Sequence, residues 1–259
     1  YGMGTPFEKT ALHGISLTIE NGEFLGVIGH TGSGKSTFVQ HLNGLLHPTT
    51  GTVTVNGVDI SASTEEAKKM RHKVGMVFQY PEHQLFEETI AQDIAFGPKN
   101  LGLSADDVDE RVRDAMKFVG LDYDTYAERS PFHLSVGQMR RVAIAGVVAM
   151  DPDFLVLDEP SAGLDPFGRE EIFEEIIRLH KEKGITVILV SHNMEDISRM
   201  ASRLVVLDKG RVVLDGEPMD IFNNHRDELQ AVGVDVPPVS VTMEYLREQG
   251  LDVSNRVLS

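Results

Sequence analysis

The sequence contains no cysteine, which excludes disulfide bonds and thiolate metal sites and fits a reducing compartment. Basic residues are also scarce: 24 Lys and Arg stand against 40 Asp and Glu, for a formal net charge of -16. An acidic surface of this kind repels nucleic acid unless basic side chains are concentrated in one place, and the sequence has no long Lys/Arg cluster. We therefore expect no nucleic-acid partner.

Long apolar runs are missing as well. No apolar stretch approaches the roughly 20 residues that a bilayer-spanning helix needs, so we expect any role at a membrane to come through a partner. The chain begins at Tyr1 without an initiator Met and without a signal-like segment, and we expect native residues to precede it. What the sequence does have is an ordinary globular composition, 41% hydrophobic and 25% charged over 259 residues, which is enough for a sizeable core.

A glycine-rich loop lies between the apolar run 24–28 and a helical pattern that begins near Lys35. Residues 29–37 read G-H-T-G-S-G-K-S-T, which matches the phosphate-binding P-loop pattern G-x-x-x-x-G-K-S. Glycines let successive backbone N–H groups point at phosphate oxygens, and the helix N-terminus adds partial positive charge. We expect Lys35 to reach the β- and γ-phosphates and Ser36 to hold Mg²⁺ through its hydroxyl. The alternative is a glycine-rich turn beside a core strand. The predicted nucleotide-binding residues of the loop are Gly29, Thr31, Gly32, Ser33, Gly34, Lys35, Ser36 and Thr37.

Short apolar runs recur along the chain in the pattern of an α/β protein. Residues 74–78, 154–157 and 186–190 read as strands buried on both faces, and a helical pattern over 167–183 separates the last two. This alternation of buried strands with amphipathic helices predicts a largely parallel sheet.

Antiparallel pieces accompany this sheet. An alternating pattern over 52–60 is interrupted by Asn56-Gly57, and one over 203–215 by Lys209-Gly210. Both patterns predict hairpins. Alternation over 11–20 predicts a further, early strand.

Between residues 89 and 150 the pattern turns mostly helical, which predicts a helical lobe inserted into the α/β domain. We divide the chain into a nucleotide-binding α/β lobe over 1–88, the helical lobe over 89–150, a continued α/β lobe over 151–223 and a C-terminal extension over 224–259. A last helical pattern covers 241–249.

Two acids follow the apolar run 154–157. Asp158 and Glu159 stand at the C-terminal end of a predicted strand, where ligands bind in open α/β sheets. Asp158 is placed to hold Mg²⁺ through its water shell, and Glu159 to polarise an attacking water as a general base. The alternative for adjacent acids at a strand end is a solvated turn or a helix cap with Pro160.

A serine and a glycine begin another helical pattern. Residues 134–138 read L-S-V-G-Q and precede an apolar helix. Ser135 and Gly137 at a helix start could meet a phosphate, although in isolation this stretch is no more than a helix cap.

Six motifs stand in the order of the ATP-binding cassette (ABC) ATPases, which the chain resembles over roughly residues 1–222. They are similar to that family's Walker A, Q-loop, signature, Walker B, D-loop and switch histidine, in that order: residues 29–37, Gln79, 134–138, 155–160, 161–165 and Ser191-His192. The resemblance implies a P-loop NTPase of ABC type with ATP and Mg²⁺ as cofactors.

The family's mechanism assigns roles to these positions. ATP lies between the P-loop of one subunit and the signature of another in a head-to-tail dimer, so Ser135, Gly137 and Gln138 would meet a nucleotide held by the partner. Glu159, His192 and Gln79 are the implied catalytic residues, His192 at the γ-phosphate. The implied magnesium ligands are Ser36, Gln79 and Asp158. The other implied nucleotide contacts are Asp165 and Tyr1, the latter stacking on adenine.

One position departs from the family's pattern. The signature usually has glycine where Val136 stands, and a β-branched residue disfavours positive φ and adds bulk near a phosphate. This departure indicates a heterodimer with two unequal sites, although the sequence does not show whether the partner is a second copy.

Residues 80–90, 93–98 and 138–146 are similar to the energy-coupling factor (ECF) transporter ATPases, the importers of cobalt, nickel and vitamins. This resemblance implies a peripheral subunit at the cytoplasmic face of the cell membrane. Its partners would be a second ATPase, a transmembrane coupling protein and a substrate-binding membrane protein. Glu82, Glu87 and Glu88 are candidates to pair with arginines of coupling helices.

Two other functions stay open at this point. One is an ABC ATPase without a transporter, acting on nucleic acid or on Fe–S assembly. The other is a P-loop module that binds ATP without turnover, which Glu159 and His192 disfavour.

Overall fold

A computed structural model describes residues 9–238 together with 241, 242, 245, 246 and 249. Tyr1 lies outside the described residues, as do 243, 244, 247 and 248 of the helix predicted at 241–249. In chain order the helices and strands are β1 (Phe24–Ile28), α1 (Lys35–Leu42), β2 (Thr54–Val55), β3 (Val58–Asp59), α2 (Glu65–His72), β4 (Val74–Val77), α3 (Ile90–Asn100), α4 (Ala105–Phe118), α5 (Tyr123–Tyr126), α6 (Val136–Val148), β5 (Phe154–Asp158), α7 (Pro166–Lys183), β6 (Thr186–Val190), α8 (Met194–Met200), β7 (Arg203–Asp208), β8 (Arg211–Gly216), α9 (Pro218–Asn224) and α10 (Arg226–Ala231).

The chain forms two compact units. The first unit comprises Tyr1–His41 and Thr186–Ser259, and the second comprises Leu42–Ile185. The four-part division into 1–88, 89–150, 151–223 and 224–259 stays a prediction.

A mostly parallel set of strands forms the centre of the first unit. Strand β1 pairs in parallel with β6 on one side and with β7 on the other, and β8 is antiparallel to β7. All residues of β1 and β6 are buried, as their unbroken apolar runs predict. Lys209 and Gly210 both have positive φ in the β7–β8 turn, which confirms that hairpin.

The predicted strand over 11–20 is wrong. The structure assigns no strand to residues 9–20, although Ile15, Leu17 and Ile19 are half-buried in alternation with exposed neighbours. The segment is attached by separate bonds: the His13 amide donates to the Gly210 carbonyl (2.7 Å), and a side chain from β7 donates to the Thr18 carbonyl. Alternating burial therefore arises here without a paired ladder.

The second unit contains two strand pairs and the helices α2–α7. Strands β4 and β5 are parallel, in register from Val74↔Phe154 to Val77↔Leu157. Strands β2 and β3 form the predicted hairpin, with Asn56 and Gly57 at positive φ.

The helical segment of the second unit includes α4, which has a capped start and an apolar face. The Ser104 hydroxyl accepts a bond from the Asp107 amide at the start of α4. The buried side chains of the face behind it are Val108, Val112, Met116 and Val119. Within the described part of the chain, no helix combines the length and the apolar character needed to cross a membrane.

Candidate functional site

In the first unit the P-loop connects β1 to α1. Only glycine fits at the first position of this loop. Gly29 has φ of 154°, and a Cβ there would lie 2.2 Å from the Leu207 carbonyl oxygen and 2.6 Å from the Ser33 hydroxyl oxygen. The Ser33 amide donates to the His30 carbonyl (3.1 Å), and the Gly210 amide donates to the Ser33 carbonyl (2.7 Å). The β7–β8 turn thus holds the loop in place.

The lysine of the loop is a buried cation. Lys35 is 6% exposed, and its ammonium donates to the Gly29 carbonyl (2.6 Å) and the His30 carbonyl (3.1 Å). A positive charge at this position favours an anion at the loop. Ser36 and Thr31 are exposed, so both hydroxyls are accessible to a ligand.

His30 and Asp208 are a pair that the sequence analysis missed. The His30 Nε2 lies 2.8 Å from the Asp208 Oδ1, and its Nδ1 lies 2.7 Å from the Thr31 carbonyl oxygen. Both oxygens are acceptors, so both contacts are hydrogen bonds only when both ring nitrogens carry a proton. The ring ties the P-loop to the end of β7. The P-loop pattern leaves the position of His30 unspecified, and it therefore gave no signal for this pair.

His192 and the P-loop follow two neighbouring strands at the same edge of the sheet. Val27 of β1 pairs with Val190 of β6, so Gly29 and Ser191 follow neighbouring parallel strands. The buried Ser191 hydroxyl accepts a bond from the Asn193 amide (3.0 Å), and His192 is exposed. The P-loop and His192 thus follow neighbouring strands of the first unit, and the role of His192 stays a prediction.

The second unit places the two acids and the Q-loop glutamine in the same way. Because β4 and β5 are parallel and in register, Gln79 and Asp158 come at corresponding ends of neighbouring strands. Asp158 is 6% exposed, whereas Gln79 is exposed. Glu159 is half-buried and has φ of 52°, a left-handed conformation that is uncommon outside glycine. Such a conformation requires support from the surrounding structure.

A turn connects Glu159 to α7. The Ala162 amide donates to the Glu159 carbonyl (3.1 Å), and the Leu164 amide donates to the Ser161 carbonyl (3.1 Å). Asp165 then caps α7, since its Oδ1 accepts a bond from the Gly168 amide (2.7 Å). Asp165 is exposed.

The signature forms the exposed start of α6. The Ser135 hydroxyl accepts a bond from the Gln138 amide, and the Gln138 Oε1 accepts one from the Ser135 amide, which makes a capping box. A Cβ added at Gly137 would meet nothing within 4 Å. The described part of this chain therefore gives no steric reason for glycine at that position.

Val136 causes no backbone strain. It is the first residue of α6 and is not among the described residues with positive φ. The backbone cost expected from a β-branched residue here is therefore wrong, because the helix start needs an ordinary right-handed conformation. The difference that remains from a signature with glycine at position 136 is the larger, exposed valine side chain.

Charged side chains lie next to the signature, around a cavity. A cavity of about 420 Å³ is bordered by Ser135, Gly137 and Arg141. Arg141 makes an ion pair with Glu171, and its Nη1 lies 3.9 Å from the Glu175 Oε1. Burial raises the pKa of Glu175 from 4.5 to about 7, although Arg141 and Arg178 oppose the rise.

The predicted magnesium ligands have the right chemistry. A hydroxyl from Ser36, an amide oxygen from Gln79 and a carboxylate from Asp158 are the hard oxygen donors that Mg²⁺ prefers. Ser36 belongs to the first unit, and Gln79 and Asp158 belong to the second. The donor types that each unit offers are therefore those that a magnesium ion takes.

Comparisons with known proteins agree with these motifs. The ABC transporter family model matches residues 12–162. The chain is 54% identical over 259 residues to energy-coupling factor transporter ATP-binding proteins EcfA2 from Clostridium tetani and Clostridium perfringens, covering all of this chain and 90% of each relative.

Solved structures show the same fold. CbiO1 from Clostridium perfringens, part of the ABC transporter complex CbiONQ, is 38% identical with a TM-score of 0.76, covering 90% of this chain and 92% of that one. A dimeric ATP-binding cassette in a post-hydrolysis state, bound to ADP and Pi, is 29% identical with a TM-score of 0.71, covering 80% of this chain and 90% of that one.

Proposed function

Because this chain belongs to the ABC transporter family and to its energy-coupling factor ATP-binding proteins, we propose that it is the ATP-hydrolysing subunit of an energy-coupling factor importer. The observation that carries the proposal is 54% identity to two such proteins over the whole chain. The subunit lies at the cytoplasmic face of the cell membrane, and its hydrolysis drives uptake of a vitamin or a transition-metal ion through membrane partners.

Binding of ATP uses the P-loop. The backbone N–H groups of residues 29–37 and the Lys35 ammonium hold the β- and γ-phosphates. The accessible Ser36 hydroxyl, Gln79 and Asp158 hold Mg²⁺, which when bound neutralises charge on the phosphate oxygens. The buried ammonium at the start of α1 and the exposed Ser36 support this assignment.

Hydrolysis uses the groups at the strand ends. Glu159 orients the attacking water and accepts its proton, and His192 donates a hydrogen bond to the γ-phosphate. Support comes from position: Glu159 follows β5, and His192 follows the strand beside the P-loop strand. The left-handed turn at Glu159 directs the base by backbone geometry.

The site is completed by a second ATPase subunit. Ser135, Gly137 and Gln138 of one subunit bind the γ-phosphate held by the partner's P-loop, and Asp165 takes part in the same interface. The exposed helix start and the open space at Gly137 support an approach from outside the chain. A dimeric cassette is among the similar structures. Further partners are a transmembrane coupling protein and a substrate-binding membrane protein, in line with CbiO1 being part of CbiONQ.

The test combines a variant with a purification. E159Q should lower the ATPase rate of the assembled complex about 100-fold or more while ATP binding is retained. E110Q, an exposed acid on α4, is the matched control and should leave both unchanged. An unchanged rate in E159Q would mean that the assigned base is wrong.

Mass spectrometry of the complex purified through this chain from a detergent extract tests the importer. We expect an ATPase partner together with two membrane proteins. Recovery of soluble proteins alone would contradict the transporter and favour an ABC ATPase that is not coupled to transport.

A further inference from the structure

We propose that Arg140 is a positioning residue that couples the segment after Gln79 to the turn that carries Glu159. For its effect on catalysis the inference rests on the proposed ATPase function. The contacts that form this link all lie within the second unit.

Arg140 is an arginine in the interior of the protein. It lies two residues after the signature on α6 and is 1% exposed. A buried guanidinium is costly unless acceptors surround it. Its Nε lies 3.3 Å from the Glu82 Oε2, its Nη1 donates to the Pro160 carbonyl (3.1 Å), and its Nη2 donates to the Ala162 carbonyl.

These acceptors come from two segments that serve the reaction. Glu82 lies in a short 3-10 helix, Pro81–Gln84, that begins two residues after Gln79. Pro160 and Ala162 belong to the turn that starts at Glu159. The Ala162 amide is bonded to the Glu159 carbonyl, so Arg140 binds carbonyls of the same turn that this hydrogen bond closes. Arg140 therefore supplies the support that the left-handed Glu159 requires.

The link also changes the role of Glu82. From its position in the sequence, Glu82 is a candidate to pair with arginines of a partner, but in the structure it pairs with Arg140 of its own chain. If the 3-10 helix moved, Glu82 would pull on Arg140 through this ion pair. Arg140 would then shift the Glu159 turn, to which it is hydrogen-bonded. This gives a physical path by which a membrane partner that contacts this segment controls hydrolysis.

The geometry requires arginine in particular. The planar guanidinium reaches three acceptors in fixed directions, whereas a lysine ammonium is a single point at the end of a flexible stem. R140K therefore keeps the charge near Glu82 but cannot hold both carbonyls. E82Q keeps an oxygen acceptor and removes the opposite charge.

The test uses R140K, E82Q and the double variant in the full-length chain within its purified complex. R140K should lower kcat about tenfold or more, because small misplacement of reacting groups is costly, while KM for ATP stays within about twofold of wild type. Amide hydrogen exchange over 161–164 should become faster in R140K. E82Q should have a smaller effect of the same kind, and its effect should not add to that of R140K.

R113Q is the matched control, since Arg113 makes an exposed ion pair with Asp109 on α4. It should match wild type in kcat and in exchange over 161–164. The proposal is overturned if R140K keeps both the wild-type kcat and the wild-type exchange rate over 161–164. It is also overturned if exchange rises equally throughout β5 and α6, because Arg140 would then stabilise the fold as a whole and not this turn in particular. If the wild-type complex hydrolyses no ATP, the proposed function fails, and the exchange comparison still decides whether Arg140 holds the turn.

Discussion

Glu175 shows how one buried carboxyl makes the stability of the chain depend on pH. It is 8% exposed on α7, and its pKa in the folded chain, about 7, lies above its ordinary value of 4.5. Between these two values the folded state binds more protons than the unfolded state. The free energy of unfolding therefore falls as pH rises from about 4.5 to 7 and stays lowered above that.

E175Q removes this titration without changing the shape of the side chain. Its stability relative to wild type should increase by about 2 kcal/mol between pH 5 and pH 8. Urea denaturation of both proteins at the two pH values measures this difference, because the other carboxyls titrate alike in both. An equal difference at pH 5 and pH 8 would contradict the buried-acid explanation.

Residues whose pattern lies in one contiguous loop could be placed from the sequence, and residues held by distant partners could not. The P-loop residues are contiguous, so their spacing alone places Lys35 at the start of α1. Arg140, by contrast, meets Glu82 and Pro160, which are 58 and 20 residues away along the chain. Only the fold places these groups together. The same holds for His30 and Asp208.

Among the elements, those with a strong local signal were predicted well. Asn56-Gly57 and Lys209-Gly210 specify hairpins because they accept positive φ at both central positions. The alternation over 11–20 specified only which side chains are half-buried. Strand assignment also needs a paired ladder, and no local pattern encodes where that partner lies.

The start of α6 allows a prediction that separates folding from assembly. Gly137 is helical with open space around it, so G137A should leave the melting temperature unchanged or slightly raised. If α6 points its N-terminus at a nucleotide on the partner, the added methyl group should lower the ATPase rate of the complex about tenfold. ATP binding to this chain's own P-loop should be unaffected.

G146A is the control on the same helix. A Cβ there would meet its nearest atoms at 3.9 Å or more, an ordinary contact, and Gly146 lies away from the helix start. It should match G137A in melting temperature and wild type in ATPase rate. Equal rates for G137A and wild type would show that the signature does not approach a nucleotide.

At the scale of the whole molecule, the two units divide the predicted machinery between them. The P-loop and His192 belong to the first unit, and Gln79, Asp158, Glu159 and the signature belong to the second. Under the proposed function, hydrolysis uses residues of both units together with the signature of a second subunit.

This composite arrangement predicts complementation between two inactive variants if the chain pairs with itself. K35M removes the phosphate-binding ammonium, and S135R blocks the signature. In a mixed dimer one site combines the intact P-loop of the S135R subunit with the intact signature of the K35M subunit. The purified mixed dimers should then recover about half of the wild-type ATPase rate, because each of them has one intact site of two. The rate is measured after co-purification through two different affinity tags, with each variant alone as the control.

Recovery in the single-variant samples would contradict the composite site. No recovery from co-purified mixed dimers would also contradict it, whereas failure to co-purify two copies would identify the pair as a heterodimer.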